Sequence, residues 1–225
     1  MNNDAIIRDF DRIATVADQF DSGSDRYDDF LCSLVPGEAK SIADIGCGLG
    51  RLALKLAYRD RSVLGIDLST EMITRATKNA VDAHNVSFLC GDFLTDERLD
   101  KQFDCVVTAA TLHHVPVDLG VPRLIELVRD GGRLIIHDLR ENDGIIQDAK
   151  AFIALAQDGF TRFLRTGSPF SPQRVRHAWK EHGDGEKYLT LPEVHRMVDV
   201  FLPGALVYGH WRWRYTVVWD NRYCS

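Results

Sequence analysis

No part of the chain is more constraining than Asp44-Ile45-Gly46-Cys47-Gly48-Leu49-Gly50. A short apolar run, 41–45, leads into it, and a helix-patterned stretch, 51–58, leaves it. Strand, glycine turn and helix in that order make a nucleotide-binding arrangement. Glycine admits left-handed backbone and leaves no Cβ between main chain and ligand. The next apolar run, Ser62-Val63-Leu64-Gly65-Ile66, ends on Asp67. At that place in a βαβ unit an acidic side chain meets ribose hydroxyls.

The spacing of the glycines narrows the nucleotide. A dinucleotide fingerprint reads G-x-G-x-x-G/A, and its third small residue packs helix against strand. Here that position is Arg51, and the pattern is G-x-G-x-G. A pyrophosphate cradle would favour a basic residue within the loop. This loop carries Asp44 instead, which suits a ligand with positive charge and no phosphate. S-adenosylmethionine, with its ammonium and sulfonium groups, fits that description.

Residues 44–50, Asp67 and Gly91-Asp92-Phe93 resemble the successive cofactor motifs of class I S-adenosylmethionine-dependent methyltransferases. Residues 108–115 (TAATLHHV) resemble the family's next motif, and 127–139 (LVRDGGRLIIHDL) its glycine turn and fifth strand. The likeness is specific over 41–139 and looser on either side, returning at Leu202-Pro203-Gly204 and 213–219. It implies an α/β fold: a doubly wound, mostly parallel seven-stranded sheet with N-terminal helices and a helical lid. By resemblance, Gly46, Cys47, Gly48 and Gly50 admit the methionine part of the cofactor and Asp44 holds its amino end. Asp67, with Leu68 beside it, takes the ribose. Asp92 accepts from the adenine amino group, with Phe93 backbone and side chain beside the ring, and Ala109 borders the site.

A chain of 225 residues suits one domain with an elaboration. The expected division is a helical leader (1–37), a cofactor-binding core (38–139), a helical substrate lid (140–190), and a last helix with closing strands (191–225). A net charge of −6 argues against a general nucleic-acid binder. The five cysteines, Cys32, Cys47, Cys90, Cys105 and Cys224, are scattered without a C-x-x-C pair and read as reduced residues of a cytoplasmic protein. The N-terminus shows no signal peptide, and no stretch reaches the roughly 18 apolar residues of a membrane span.

Periodicity predicts two leading helices, one carrying Ile6, Phe10 and Ile13, the other running from Ser24 to about Leu34. Strands are predicted at 41–45, 62–67, 86–91, 104–109 and 132–138. Helices are predicted near 51–58, 70–83 and 118–129, with Asp130-Gly131-Gly132 as the stop of the last. The lid contains helix-patterned 145–163. A further helix, 191–201, precedes strands at about 205–210 and 213–219. In the last strand Trp211, Trp213, Tyr215, Val217 and Trp219 share one parity, which reads as one buried apolar face rather than a stacking surface for nucleic acid.

His113 and His114 are the catalytic candidates. They follow the fourth strand, and histidine can take a proton near neutral pH. His114 matches the family's recurrent histidine better than His113. Asp138 ends the fifth strand, and by pleat alternation points to the face opposite His137. It is suited to orient a histidine or bind a substrate amine. From the lid, His177, Trp179, His182 and Tyr188, with Arg174 and Arg176, suit a polar aromatic or acidic substrate. Their spacing does not match a metal site.

The expected activity is methyl transfer to an oxygen or nitrogen of a small metabolite. The fourth-strand motif lacks the Asn/Asp-Pro-Pro-Tyr pattern of amino-group methyltransferases acting on DNA or on protein glutamine. A cyclisation or lyase step on the same scaffold, and a non-catalytic cofactor-binding partner protein, stand as alternatives.

Overall fold

The computed structural model describes residues 3–17, 25–58, 60–141, 168, 187–210 and 213–222. Five apolar runs form parallel strands, which need no alternation because helices cover both sheet faces. They are β1 (Ser41–Ile45), β2 (Ser62–Asp67), β3 (Val86–Cys90), β4 (Phe103–Ala109) and β5 (Val128–Leu139). With β6 (Leu206–His210) and β7 (Arg214–Asp220) they make a seven-stranded sheet ordered β3-β2-β1-β4-β5-β7-β6. Only β7 runs against its neighbours, pairing antiparallel with β5 and β6. The order reverses direction between β1 and β4, so the carboxyl ends of those strands open a crevice there.

One face of the sheet is covered by α2 (Asp25–Leu34) and α3 (Arg51–Leu56). Leu31, Leu52 and Leu56 pack there on Ile42, Val63, Val107 and Ile135. The other face carries α5 (Val117–Glu126) and α6 (Leu191–Phe201). Val121, Leu124, Val194 and Val198 meet Ile45, Val106, Leu134, Ile136 and Val217 there. Alternation along the strands divides these residues between two cores; Leu134 is fully buried, so truncating it to Ala would cost about 2–5 kcal/mol. α4 (Thr70–Asn79) starts at Ser69, whose hydroxyl accepts from Met72 N at 3.0 Å. α6 begins with a full capping box, Thr190 against Glu193.

Three sequence expectations need correcting. Asp130-Gly131-Gly132 does not end a helix, because α5 stops at Glu126. These residues bulge out of β5 between Val128, which pairs with Phe103, and Arg133, which pairs with Cys105. Gly131 (φ 72°) and Gly132 are held there by main-chain bonds to Asn221 at 2.6 and 2.9 Å. Second, β7 is buried on both faces rather than one. Tyr215 and Val217 enter one core, while Thr216 and Val218 are covered on the opposite side. Third, Trp213 precedes the strand in a turn with φ 55°, which breaks the parity there. The expected lid helix at 145–163, with His177, Trp179 and His182, lies outside the described residues, as do Trp211 and Cys224.

The leader helix α1 (Asn3–Ala17) does not join either main core. Ile13 and Ala14 pack on Met72, with Phe10 and Leu49 beside them. Phe10 reaches edge-on to His114, with centroids 5.3 Å apart. Asp11 accepts a hydrogen bond from the Ser69 hydroxyl. Three elements at the carboxyl edge, the α4 N-terminus, the glycine turn and the segment after β4, thus share one cover.

Candidate active site

Left-handed backbone shapes the turn after β1: φ is 74° at Gly46, 51° at Gly48 and 75° at Gly50. The N–H groups of Gly46 and Cys47 both donate to Ile66 O, at 2.8 and 3.0 Å, which fastens the turn to β2. A Cβ on Gly46 would lie 1.9 Å from Thr111 Oγ1, so this glycine allows the segment after β4 to close on the turn. A Cβ on Gly48 would meet nothing within 4 Å, so this glycine faces open space. The Cys47 side chain is tucked inward, and its thiol is pushed well above the usual range by burial and the charges of Asp44 and Asp67. Cys47 shapes the turn without offering a reactive group.

Asp44 is 1% exposed, and among the described residues nothing donates to its Oδ2. Its pKa is pushed up to about 7, first by burial and then by the charges of Asp28 and Asp67. A buried carboxylate oxygen with no donor is costly, and a cationic ligand removes the cost. Asp28, on α2, lies within 4 Å of Lys55 and Arg51, at 3.6 and 3.7 Å. Arg51, which excludes the dinucleotide fingerprint, therefore turns toward α2 and not into the turn.

Asp67 binds the two sides of the crevice together. Its Oδ2 accepts from Gly48 N and its Oδ1 from Ser69 N, each at 2.9 Å. A carboxylate has roughly four acceptor positions, so capacity for hydroxyl donors is left. Leu68, half-buried, follows it. At the end of β3, Asp92 Oδ1 accepts from Leu94 N at 2.9 Å in a tight turn. The Phe93 ring is buried in the main apolar core, so at this point the chain can present Phe93 backbone but not its side chain.

Past β4 the backbone is strained. Ala109 ends the strand, and Ala110 takes φ 56° while donating to His137 O at 2.8 Å. A non-glycine residue in the left-handed region costs energy and is found where a site requires it. The turn delivers Leu112–His114 as a short 3-10 helix. His113 Nδ1 then lies 2.6 Å from Asp138 Oδ1, and His113 N donates to Asp138 Oδ2 at 2.8 Å. Leu139 N also donates to Oδ1 at 2.7 Å. A carboxylate receiving these donors fixes the proton on Nδ1 and leaves Nε2 as the basic nitrogen. His114 lies between two rings, with the tilted His113 ring 3.9 Å away by centroids and Phe10 edge-on at 5.3 Å. Tyr188 lies 5.2 Å from His113 by ring centroids, brought there by the bridge between Arg140 and Leu189.

His137 faces the other way, as pleat alternation predicts. Its Nδ1 is 2.8 Å from Thr216 Oγ1, and its ring is 4.5 Å from that of Tyr27. Burial and the charge of Arg214 hold His137 neutral, with its pKa lowered to about 3. Among the described residues, no group of three or more His, Cys, Asp or Glu is placed to hold a metal, and no helix is long and apolar enough to cross a membrane.

Sequence comparison decides the family. A methyltransferase-domain profile matches residues 42–132. An uncharacterized methyltransferase of Mycobacterium tuberculosis is 30% identical over 202 residues, covering 86% of this chain and 93% of that protein. The chain belongs to the class I S-adenosylmethionine-dependent methyltransferases. A ubiquinone biosynthesis O-methyltransferase of Aeromonas salmonicida is 36% identical over 107 residues, 46% of this methyltransferase and 44% of that one. The fold agrees with the crystal structure of a SAM-dependent methyltransferase from Aquifex aeolicus. That likeness has a TM-score of 0.58 at 17% identity and covers 92% of this chain and 97% of the other.

The residues present fit S-adenosylmethionine. A Cβ on Gly48 would meet nothing within 4 Å, so main chain is open to a ligand there, Asp44 has an oxygen with no donor among the described residues, and Asp67 retains acceptor capacity. Sequence reasoning does not single out Thr111 and Phe10, which the structure brings to this edge. Thr111 lies in the quoted TAATLHHV motif, but its contact with Gly46 depends on strand order, and Phe10 reads only as one apolar position of a helix.

Proposed function

We propose that this methyltransferase transfers the methyl group to an oxygen or nitrogen of a small metabolite, with His113 as the base and Asp138 as its orienting carboxylate. The observation that carries the proposal is the 2.6 Å contact between His113 Nδ1, in the 3-10 turn after β4, and Asp138, at the carboxyl end of β5. The bound cofactor supplies a methyl carbon already activated on a sulfonium. The chain's own task is to align the acceptor with that carbon, at roughly 3–3.5 Å, and to take a proton if the acceptor arrives with one. His113 Nε2 is the atom for that proton. His114, packed on Phe10 and His113, is assigned the positioning of the His113 ring.

Asp44, Gly46, Gly48, Gly50, Asp67, Asp92 and the Phe93 backbone are assigned to the cofactor. Leu68 and Ala109 border it. Cys47 holds the turn's shape. Tyr188 is assigned to the acceptor. A compact acceptor is favoured by the close aromatic and imidazole walls around His113, and a net charge of −6 disfavours nucleic acid. The named O-methyltransferase relative supports oxygen ahead of nitrogen.

The test is incubation with S-adenosylmethionine and a panel of small phenols, alcohols and amines, with S-adenosylhomocysteine and product both measured. Equal amounts of the two are expected. S-adenosylhomocysteine binding without product from any acceptor would refute the proposal.

A further inference from the structure

Arg214 opens β7 beside the site just described, and the assignment that follows rests on that methyl-transfer reading. In register it lies opposite Leu139 on β5 and His210 on β6, at the carboxyl edge of both strands. Its guanidinium carbon is 6.0 Å from the centre of the Tyr27 ring. Among the described residues no carboxylate or carbonyl forms an ion pair or hydrogen bond with that guanidinium. Burial pulls its pKa below the usual range, with Asp138, Tyr27 and Tyr188 the groups whose charges act on it in the other direction.

Asp138 is the carboxylate in reach of that field, and it is occupied. Both its oxygens accept from His113, and Oδ1 accepts from Leu139 N as well. The neighbouring rings add no negative charge. His137 and His210 share the Thr216 hydroxyl, at 2.8 and 2.7 Å, and both have their pKa lowered in part by Arg214. Among the described residues this partly buried guanidinium has a ring beneath it and no carboxylate paired with it, Asp138 acting on it only through its charge, and that is a costly arrangement for the ligand-free protein. It is a favourable one for a ligand that brings its own anion.

We propose that Arg214 is a specificity residue for an acceptor that is a small aromatic acid, its anionic group on Arg214 and its ring against Tyr27. The acceptor's hydroxyl or amine then lies on the His113 side, where Tyr188 closes the opposite wall. Asp138 separates the two functions: it stabilises the proton on His113 and repels a second anion from the methyl-transfer end. The acid is thereby oriented as well as held. A carboxylate and a phosphate would satisfy Arg214 equally well in kind, since both offer paired oxygens to a guanidinium fork.

The experiment is calorimetric titration of the protein saturated with S-adenosylhomocysteine, using a panel of aromatic hydroxy acids, their uncharged amides, and phenyl phosphate. At least one acid is expected to bind ten-fold or more tighter than its own amide. Phenyl phosphate against benzoate tells which anion is preferred. Arg214→Gln should abolish the preference of acid over amide, and Arg214→Lys should keep part of it. Affinity for S-adenosylhomocysteine should be unchanged in both variants, which also shows that they fold. Acids and amides that bind equally, or a preference that survives in Arg214→Gln, would overturn the assignment. Loss of cofactor binding in both variants would also overturn it, by making Arg214 a structural residue. An intact, Arg214-dependent preference without methylated product from any acid that binds would instead sink the methyl-transfer reading and leave the anion site standing.

Discussion

Over β1 and β2 the crevice is made by main chain, with glycines that stand aside and two aspartates that brace them. Over β4, β5 and β7 it is made by side chains drawn from distant segments: His113 from a 3-10 turn, Asp138 from a strand end, Tyr188 from the approach to α6, Tyr27 from the leader and Arg214 from the last strand. On the reading proposed above, the first half holds the cofactor, with geometry built from backbone and short turns. On the same reading, the second half meets the acceptor, with side chains that no single βαβ unit supplies. Gly46 and Thr111 form the seam between them.

Asp138→Asn should separate the halves most sharply. It leaves His113 without a carboxylate to hold the proton on Nδ1, and turnover is expected to fall by about 10²–10⁴-fold. The dissociation constant for S-adenosylhomocysteine should stay within about two-fold, because no cofactor contact is assigned to Asp138. A parallel loss of both quantities would merge what is here divided.

Gly46→Ala should do the reverse and damage both halves. The new methyl collides with Thr111, and alanine at φ 74° is strained in its own right. Together these should cost roughly 2–4 kcal/mol of stability, read from denaturant unfolding. Gly48→Ala meets no protein atom, so its stability loss should be limited to about 1 kcal/mol while cofactor affinity still drops.

How far each half is legible in the sequence follows from the same contrast. The glycine turn, Asp67 and the strand order around them are local: residues within one βαβ unit meet because they are near in the chain. The predicted strands at 41–45 and 62–67 match β1 and β2 residue for residue. Asp138 was legible as a strand-end carboxylate, and its face followed from pleat alternation. That it holds His113 rather than His114 was not, since a one-residue choice depends on the left-handed turn at Ala110. The family likeness pointed to His114. In the sequence Arg214 is no more than a basic residue among the aromatics of the last strand. That no described carboxylate forms an ion pair with it appears only once β7 is seated between β5 and β6. The stop assigned to Asp130-Gly131-Gly132 failed because glycine pairs make bulges as readily as caps.

Asp67→Asn tests whether the main-chain half depends on charge. Asparagine can still receive one of the two backbone donors, Gly48 N or Ser69 N. The loss of a charged acceptor should weaken cofactor binding by about 1.5–3 kcal/mol, seen in the same calorimetric titration. An unchanged constant would remove Asp67 from the ribose.

The smallest expected effect concerns pH. The folded-state pKa of Asp44 is raised to about 7, so between about 4 and 7 the folded protein holds a proton that the unfolded chain has released. Its contribution to stability is therefore present at low pH and lost as pH rises through about 7. His137, lowered to about 3, acts oppositely: its contribution is lost as pH falls from about 6.5 toward 3. Asp44→Asn isolates the first effect. The ligand-free variant should gain on the wild type progressively from pH 4 to 7, by a final amount of roughly 1–4 kcal/mol, and the difference should be flat above pH 7. Its affinity for S-adenosylhomocysteine should fall. A pH-independent difference would mean that Asp44 is not the group that titrates.

A crystal structure with S-adenosylhomocysteine bound tests the division of the edge most directly. The account predicts the ribose hydroxyls within hydrogen-bond distance of Asp67, the amino group beside Asp44, and the sulfur directed toward the space between His113 and Arg214. A nucleoside seated away from Gly48, or a sulfur facing away from His113, would contradict it.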